Sequence, residues 1–266
     1  MRPVFYLFIL LLASCGTARK STQSSVKAQF KIMSYNIHVG IPPTKPGVTD
    51  LDAIVRTIKN EDPDIIALQE VDVNTTRTGK INEAAVIAEK LKMEYFFAKA
   101  INYAGGDYGV AILSKYPLSE TTIHRLTTIE GTKGEPRVMA TAKITLKNGM
   151  EIRFASTHLD AGQNSVNREK QIAEIVTISS SETLPFIIAG DFNAQQGSSI
   201  IKKLDESFTR TCLDCAPTFP VVKPTRAIDF IAFSNTSKIK VISHSVVQEH
   251  YASDHLPVVA LLQIGL

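Results

Sequence analysis

The sequence predicts an α/β domain of the mixed kind, in which β-sheets built partly from hairpins carry helices on their outer faces. Short apolar runs recur along the chain and end in polar residues, as over 186–194, where a buried strand passes into Asp191 and Asn193. Segments with helical spacing stand between several of these runs. An Asn-Gly dipeptide at 148–149 is the strongest hairpin signal that a short stretch can carry.

The first half of the chain predicts strands and helices in succession. Residues 30–35 alternate apolar and polar side chains, which is typical of a strand with one buried face. Apolar residues fall at helical spacing over 51–58, behind the cap candidates Thr49 and Asp50, and Asp-Pro at 62–63 ends this helix. Further strands are predicted over 64–68, 95–98, 110–113 and 121–126, with a helix over 82–92 and a glycine-containing loop that carries Asp107 and Tyr108.

The second half begins with the predicted hairpin of strands 137–146 and 151–157, and a long helix over 166–179 leads into the strand that stops at Gly190. A short helix over 198–204, an irregular segment over 211–225 and strands over 228–233, 239–247 and 256–264 follow. No linker divides the chain internally, and 266 residues that are 44% hydrophobic can bury a large core. We therefore expect one domain.

The first residues predict export. Val4 to Leu12 are almost wholly apolar, follow Arg2 and precede small residues, which is typical of a secretion signal rather than a membrane-spanning helix. Leu12-Ala13-Ser14-Cys15 resembles the bacterial lipobox, and the alternative is an ordinary cleaved signal with a chance cysteine. The predicted organisation is a signal peptide over 1–14, a flexible tether over 15–28 with lipidated Cys15, and a domain over 29–266. We expect an envelope lipoprotein of the outer membrane, on its periplasmic or outer surface.

The net charge and the cysteines argue against two classes of function, the coating of nucleic acid and redox or metal chemistry at a cysteine pair. The net charge is +3, and one positive residue, Arg2, lies in the signal, so the balance is nearly neutral and does not favour a protein that coats nucleic acid. Apart from Cys15, the cysteines are Cys212 and Cys215. In an exported chain this pair predicts a structural disulfide rather than a redox or metal site, since zinc would need further ligands.

Polar residues collect where predicted strands end, and their types suit phosphoester hydrolysis. They are Asn36, Glu70, His158, Asp191, Asn193, Asp229, Asp254 and His255. Such hydrolysis needs a cation that neutralises phosphate charge, and Mg²⁺ prefers oxygen ligands, for which Glu70, with Asn36 and Asp254, is the candidate. His255 and His158 could transfer protons near neutral pH. Taken singly, each residue also has an ordinary explanation as a turn former, solvated acid or buried histidine.

Six motifs carry a resemblance to a known family. In chain order they are Tyr35-Asn36-Ile37, Leu68-Gln69-Glu70-Val71, Thr157-His158-Leu159-Asp160, Gly190-Asp191-Phe192-Asn193-Ala194, Ile228-Asp229-Phe230-Ile231 and Ser253-Asp254-His255-Leu256-Pro257. Their order resembles that of the endonuclease/exonuclease/phosphatase superfamily, the deoxyribonuclease I-like fold, from residue 30 to the end. The resemblance implies a four-layer sandwich, two packed central sheets flanked by helices, and a phosphoesterase site at one edge that depends on Mg²⁺ or Mn²⁺.

The resemblance also implies a role for each residue. Glu70 resembles the principal metal ligand, with Asn36 beside the metal and phosphate, and Asp254 resembles a second acidic residue near the metal. Asp191 and Asn193 resemble the pair that positions the attacking water and the phosphoryl oxygens. His255 resembles the catalytic histidine held by Asp229, and His158 resembles a histidine that contacts the phosphate or the leaving oxygen. Which group acts as base and which as acid is left open.

Other side chains bear on the substrate. Arg137 and Arg77 lie in loops beside the motifs and could bind phosphate oxygens, and Tyr108 could donate to phosphate or be a core aromatic. The leading prediction is a metal-dependent phosphodiesterase or phosphatase, monomeric, acting on a small or lipid-derived phosphoester. The alternatives are an exported non-specific nuclease, with nucleic acid not favoured as partner, and a non-catalytic envelope binding protein on the same fold.

Overall fold

The computed structural model describes residues 27–265, together with residues 1, 3 and 4. Within them, two six-stranded sheets pack face to face and four α-helices cover their outer faces. This is the predicted four-layer sandwich. The predicted lipidated Cys15 and nearly all of the predicted signal peptide and tether lie outside the described residues, and none of the described helices is long and apolar enough to span a membrane.

The first sheet is mixed. Its strands, in order across the sheet, are β11 (Ile239–Val246), β12 (Val258–Gly265), β1 (Lys27–Asn36), β2 (Ile65–Val73), β4 (Gly106–Ser114) and β3 (Glu94–Tyr103). β1 and β2 run parallel, and the other neighbours are antiparallel. Because parallel strands end at the same edge, β1 and β2 deliver their last residues to one place.

The second sheet is also mixed, with one parallel pair of strands among antiparallel neighbours. Its strands, in order, are β5 (Leu118–Leu126), β6 (Arg137–Thr145), β7 (Glu151–His158), β8 (Phe186–Asp191), β10 (Asp229–Ser234) and β9 (Phe208–Arg210). β7 and β8 are the parallel pair, with His158 opposite Asp191. β10 runs antiparallel to β8, so that its first residue, Asp229, is opposite Asp191 as well.

Helices α1 (Leu51–Glu61) and α2 (Glu83–Leu91) pack on the first sheet, and α3 (Val166–Ser180) and α4 (Ser199–Asp205) pack on the second. Asp50 caps α1 by accepting a hydrogen bond from the backbone of Ala53. Between the sheets lies a core of aliphatic and aromatic side chains, Phe30 and Phe154 among them. Apolar side chains are thus buried in three layers, one between the two sheets and one between each sheet and its helices. This close packing fixes the position of the strand ends of one sheet relative to those of the other.

Some predicted bounds were wrong. Asp107 and Tyr108 belong to β4 rather than to a loop, because the chain stays paired with β2 and β3 as far as Gly106 despite its glycines. β1 begins at Lys27, three residues before the predicted strand over 30–35, and the three-residue β9 was not predicted. Cys212 and Cys215 form the predicted disulfide.

Candidate active site

The catalytic candidates come together at the edge where the parallel strands of both sheets end. Asn36 is the last residue of β1, His158 the last of β7 and Asp191 the last of β8. Asp229 begins β10, and His255 lies three residues before β12. Five segments that are distant along the chain therefore contribute side chains to one pocket, which is where open α/β sheets usually present their functional groups.

Asn36 connects the two sheets inside this pocket. Its Nδ2 donates to Oε1 of Glu70 and to Oδ2 of Asp191, each at 3.1 Å. Asn36 is almost fully buried, and its contact with Asp191 is shielded from bulk water, whereas its contact with the half-buried Glu70 is partly exposed. One amide thus holds a carboxylate of the first sheet beside a carboxylate of the second.

Glu70 stands at an irregularity of β2. The pairing of β2 with β4 shifts between Leu68 and Val71, and Glu70 has a φ of 55°. Such a bulge redirects a side chain, and a positive φ in a residue with a Cβ is strained backbone that clusters at functional sites. The local strain turns the Glu70 carboxylate towards Asn36 instead of leaving it in the regular alternation of the strand.

His255 and Asp229 form a buried pair. Nδ1 of His255 is 2.9 Å from Oδ2 of Asp229, and Thr218 Oγ1 donates to the same oxygen. Burial lowers the pKa of the imidazole, but the neighbouring carboxylates, Asp229 above all, raise it to about 10. The ring of Phe219 packs on the imidazole with 4.6 Å between ring centroids. His255 is therefore held in one orientation and is cationic at neutral pH.

Asp191 lies between the two histidines. Its Oδ2 is 3.7 Å from Nε2 of His255 and 3.6 Å from Nε2 of His158, and its Oδ1 accepts from the backbone of Asn193 at 2.8 Å. Burial raises the pKa of Asp191 to about 7, and the charge of Asp229 adds to the rise. A carboxyl with this pKa can exchange a proton near neutral pH.

His158 is buried and faces two N–H donors. Nη1 of Arg137 is 3.1 Å from its Nδ1, and Nδ2 of Asn193 is 3.0 Å from its Nε2. A guanidinium can only donate, so Nδ1 of His158 accepts from Arg137, and because a neutral imidazole accepts at one nitrogen only, Nε2 carries the proton, with Oδ2 of Asp191 at 3.6 Å. Nδ2 of Asn193 also donates to the backbone carbonyl of Leu159 at 3.0 Å. Burial, and then the charge of Arg137, lowers the pKa of His158, which is neutral at pH 7.

The donor set fits a divalent cation. The carboxylates of Glu70, Asp191 and Asp254 supply hard oxygens, and one group of possible ligand atoms, from Asp191, Asp229 and His255, lies within 4.8 Å. In that group Asp229 and His255 already bond to each other, which leaves Asp191 as its available member. The pKa of Asp191 is raised by burial first and by the charge of Asp229 second, and a bound cation would lower it.

The predicted metal residues are not all in mutual contact. Glu70 and Asn36 are hydrogen-bonded, whereas the half-buried Asp254 lies beside His255 and adds to the negative charge there. Among the described residues no hydrogen bond joins Asp254 to Glu70 or Asn36.

The predicted substrate residues differ in their surroundings. Arg137 is buried and contacts both His158 and, at 3.0 Å through Nη2, Glu135. Tyr108 is buried beside Glu70 and Arg137, and its pKa is raised by burial and by the Glu70 charge. Arg77 makes a two-point ion pair, at 2.6 and 2.8 Å, with the buried Asp72. A phosphate contact by Arg77 stays a prediction, because two of its donors already have a partner.

Sequence reasoning missed several supporting residues. Thr218 and Phe219, which orient the Asp229–His255 pair, lie in a segment with no strand or helix signal. Glu83 is wholly buried in the first turn of α2, where its Oε2 accepts from the backbone of Asp72 at 2.7 Å. An acid in the first helical turn looks like an ordinary dipole partner, and only the fold shows that this one is buried.

Comparison with known proteins identifies the family of the chain. The model of the Endonuclease/Exonuclease/phosphatase family matches residues 33–255. The Escherichia coli K12 protein YbhP, which is described as uncharacterized, is 26% identical over 251 residues, covering 88% of this chain and 96% of that protein.

Solved structures share the fold. An endonuclease/exonuclease/phosphatase from Beutenbergia cavernae superposes with a TM-score of 0.74 at 20% identity, over 89% of this chain and 72% of that one. The mannosyl-6-phosphatase Bt3783 of Bacteroides thetaiotaomicron superposes with a TM-score of 0.69 at 18% identity, over 88% of this chain and 99% of that one. The family model spans nearly the whole sandwich and both ends of the pocket, and the chain belongs to the endonuclease/exonuclease/phosphatase family.

Proposed function

We propose that the protein is a divalent-metal-dependent phosphoesterase that hydrolyses a small phosphorylated substrate by in-line attack of water. The observation that carries this proposal is the meeting of Glu70, Asn36, Asp191 and two histidines in one buried pocket. A pure binding protein would gain nothing from an acid and two imidazoles whose pKa values are shifted in different directions.

Glu70 and Asp191, bridged by Asn36, are the residues that would hold the cation, with Asp254 as a further acid. Bound Mg²⁺ or Mn²⁺ would neutralise phosphate charge and polarise the phosphoryl group. The strained backbone at Glu70 supports this assignment, because it fixes one carboxylate beside the amide that also contacts Asp191.

The residues that do not hold the cation would transfer protons or bind the phosphate. Asp191 positions the attacking water and accepts its proton, and Asn193 orients the phosphoryl oxygens beside it. The imidazolium of His255 stabilises the charge that develops on the phosphoryl group. The leaving oxygen takes its proton from the imidazolium of His255, whereas the neutral His158 donates only a hydrogen bond to that oxygen through Nε2, and Arg137 behind it holds the ring in that tautomer.

A small substrate fits the charge of the molecule better than a polymer does. Non-specific nucleases need a basic groove, and the near-neutral net charge of this chain does not predict one. Most of the charged residues of the site are also buried. One protein of the same fold, Bt3783, is described as a mannosyl-6-phosphatase, so the architecture is compatible with a sugar phosphate. The lipid-derived phosphoester and the non-specific nuclease remain the alternatives.

We further propose that the protein is exported and anchored to the outer membrane through a lipidated Cys15, and that it acts as a monomer. The apolar run before Cys15 and the lipobox-like Leu12-Ala13-Ser14-Cys15 support the anchor. Metabolic labelling with a radioactive fatty acid tests it: the native chain should take up label, and the Cys15→Ser variant should not.

An activity screen tests the proposed reaction. The purified protein is incubated with Mg²⁺ or Mn²⁺ and with sugar phosphates, glycerol phosphate, a phosphodiester and plasmid DNA, beside the Glu70→Ala variant. Release of phosphate from a small ester, abolished by Glu70→Ala, is expected. DNA degradation at low enzyme concentration would favour the nuclease instead. Absence of any cleavage, with ligand binding unaffected by His255→Ala, would favour the non-catalytic binding protein.

A further inference from the structure

Glu83 is a buried acid behind the pocket that the proposed mechanism does not use. It is the first residue of α2, and its side chain is 0% exposed. Asn82 fixes the start of this helix, because its side chain accepts from the backbone of Ala85 at 3.0 Å and its backbone forms a bridge with Val73 at the end of β2. Glu83 is therefore held firmly beside the strand that carries Glu70.

One oxygen of Glu83 binds the backbone of β2 just after the bulge at Glu70. β1 pairs with β2 as far as Asn36 and Gln69. Three residues further along β2, the N–H of Asp72 donates to Oε2 of Glu83 at 2.7 Å. A buried N–H without an acceptor would cost free energy. Glu83 supplies that acceptor and so fixes the chain two residues after Glu70.

The other oxygen of Glu83 faces the turn that follows Asn36. Residues 38–40 of this turn all have positive φ, at 47°, 47° and 64°, which is strained backbone for the two that carry a Cβ. The N–H of His38 donates to Oδ1 of Asn36 at 3.1 Å, so this turn orients the Asn36 side chain. A Cβ on Gly40 would lie 3.4 Å from Oε1 of Glu83. The turn that orients Asn36 therefore packs against the Glu83 carboxyl.

The stability of the fold does not explain the second oxygen of Glu83. Burial raises the pKa of Glu83 to about 8, so the carboxyl is protonated at pH 7. Its Oε1 has no hydrogen-bond partner in the described part of the chain. A buried polar atom without a partner lowers stability. An acid between the two turns thus fits a role in positioning them better than a role in stabilising the fold.

We propose that Glu83 is a positioning residue for the metal site, which holds the β2 bulge and the turn over residues 38–40 in place so that the Glu70 carboxylate meets the Asn36 amide. The inference rests on the proposed metal-dependent function and gives Glu83 no contact with cation or substrate. The contact that it maintains is the 3.1 Å hydrogen bond from Nδ2 of Asn36 to Oε1 of Glu70. A shift of either turn would weaken cation binding although every ligand is still present.

Two substitutions at residue 83 separate the acceptor from the size of the side chain. Glu83→Gln keeps an acceptor oxygen and matches the neutral carboxyl in size, so the Mn²⁺ affinity should stay native. Glu83→Met is of similar size but leaves the N–H of Asp72 without an acceptor, so Mn²⁺ should bind at least about tenfold more weakly. Paramagnetic resonance of free Mn²⁺, well below the Tm of each variant, measures the affinity of folded protein alone. The control is Glu89→Met, an exposed position of the same helix, which should bind Mn²⁺ normally.

Two measurements without metal separate this proposal from the proposed function. In metal-free protein, the NMR resonance of the Asn36 side-chain amide, identified by its loss in Asn36→Ser, should shift in Glu83→Met and stay in place in Glu83→Gln. In the native chain, the amide hydrogen of Asp72 should exchange slowly with solvent. The exchange measurement needs no variant, so it tests the contact even if Glu83→Met does not fold.

The outcomes against the positioning role are distinct from those against the reaction. Fast exchange at Asp72, an unmoved Asn36 resonance in Glu83→Met, or native Mn²⁺ affinity in that variant would overturn it even if phosphoesters are cleaved. Equal weakening by Glu83→Gln and Glu83→Met would overturn it as well, because the acceptor would then not be the cause. A native chain that binds no Mn²⁺ would contradict the proposed function, and the Asn36 resonance would still decide whether Glu83 positions the pocket.

Discussion

Nδ1 of His255 lies 2.9 Å from Oδ2 of Asp229, and this contact joins the two sheets of the sandwich. His255 precedes β12 of the first sheet, whereas Asp229 begins β10 of the second. Both side chains are almost fully buried. The orientation and charge of the imidazole therefore depend on how the sheets pack, and not on either segment alone.

Removing the charge of Asp229 should make His255 a weaker base. The Asp229→Asn variant takes away the main cause of the raised pKa, so the His255 pKa should fall from about 10 towards or below its ordinary value of about 6.5. NMR titration of the imidazole measures this. We expect kcat to fall by about 10² as well, on the scale of lost acid–base catalysis. An unchanged His255 pKa would mean that the pair has no electrostatic role.

Loss of either central catalytic group should reduce turnover rather than binding. His255→Ala and Asp191→Ala should each lower kcat by roughly 10² or more, since each removes a group that acts on the transition state. Steady-state kinetics at saturating metal provide the measurement. A decrease below tenfold in either variant would show that its role is misassigned.

Glu70 should determine metal affinity. Glu70→Gln keeps the size of the side chain but removes a hard anionic ligand, so Mn²⁺ should bind at least about tenfold more weakly, within the range seen when metal-site partners are altered. Paramagnetic resonance of free Mn²⁺ measures the affinity without turnover. Glu89→Gln, which changes an exposed glutamate on α2, is the matched control and should bind Mn²⁺ normally.

Glu83 should make the fold sensitive to alkaline pH. Burial raises the pKa of Glu83 to about 8 from an unfolded value of about 4.5, so its contribution to stability is fully present below pH 4.5 and is lost as the pH rises through 8.

Glu83→Gln stays neutral and keeps an acceptor for the backbone of Asp72. Between pH 5 and 8.5 its Tm should therefore rise by several degrees relative to the native chain, since about 1 kcal/mol shifts Tm by roughly 2–4 °C in a domain of this size. Thermal unfolding by circular dichroism measures the difference. Glu89→Gln should follow the native pH dependence, and parallel Tm curves for native and Glu83→Gln would contradict the assigned pKa.

Much of the fold was predictable because its signals are local. Apolar patterns predicted most strands and the helices α1, α2 and α3 of the described residues, and the Asn-Gly turn predicted the β6–β7 hairpin. Asp50 stands at the start of α1 as a capping residue must. The start of β4 was missed because Gly105 and Gly106 are typical of a turn, and pairing with two neighbouring strands overrides that preference.

The sequence by itself determined which residue types lie at the strand ends, because each apolar run and the polar residues that follow it are neighbours in the chain. Only the tertiary structure decided their partners. Asn36 reaches Asp191 across 155 positions, and Arg77 is paired with the buried Asp72. Hydrogen bonds and pKa shifts depend on distance and burial, which arise when two sheets pack together and which no local pattern of residues encodes.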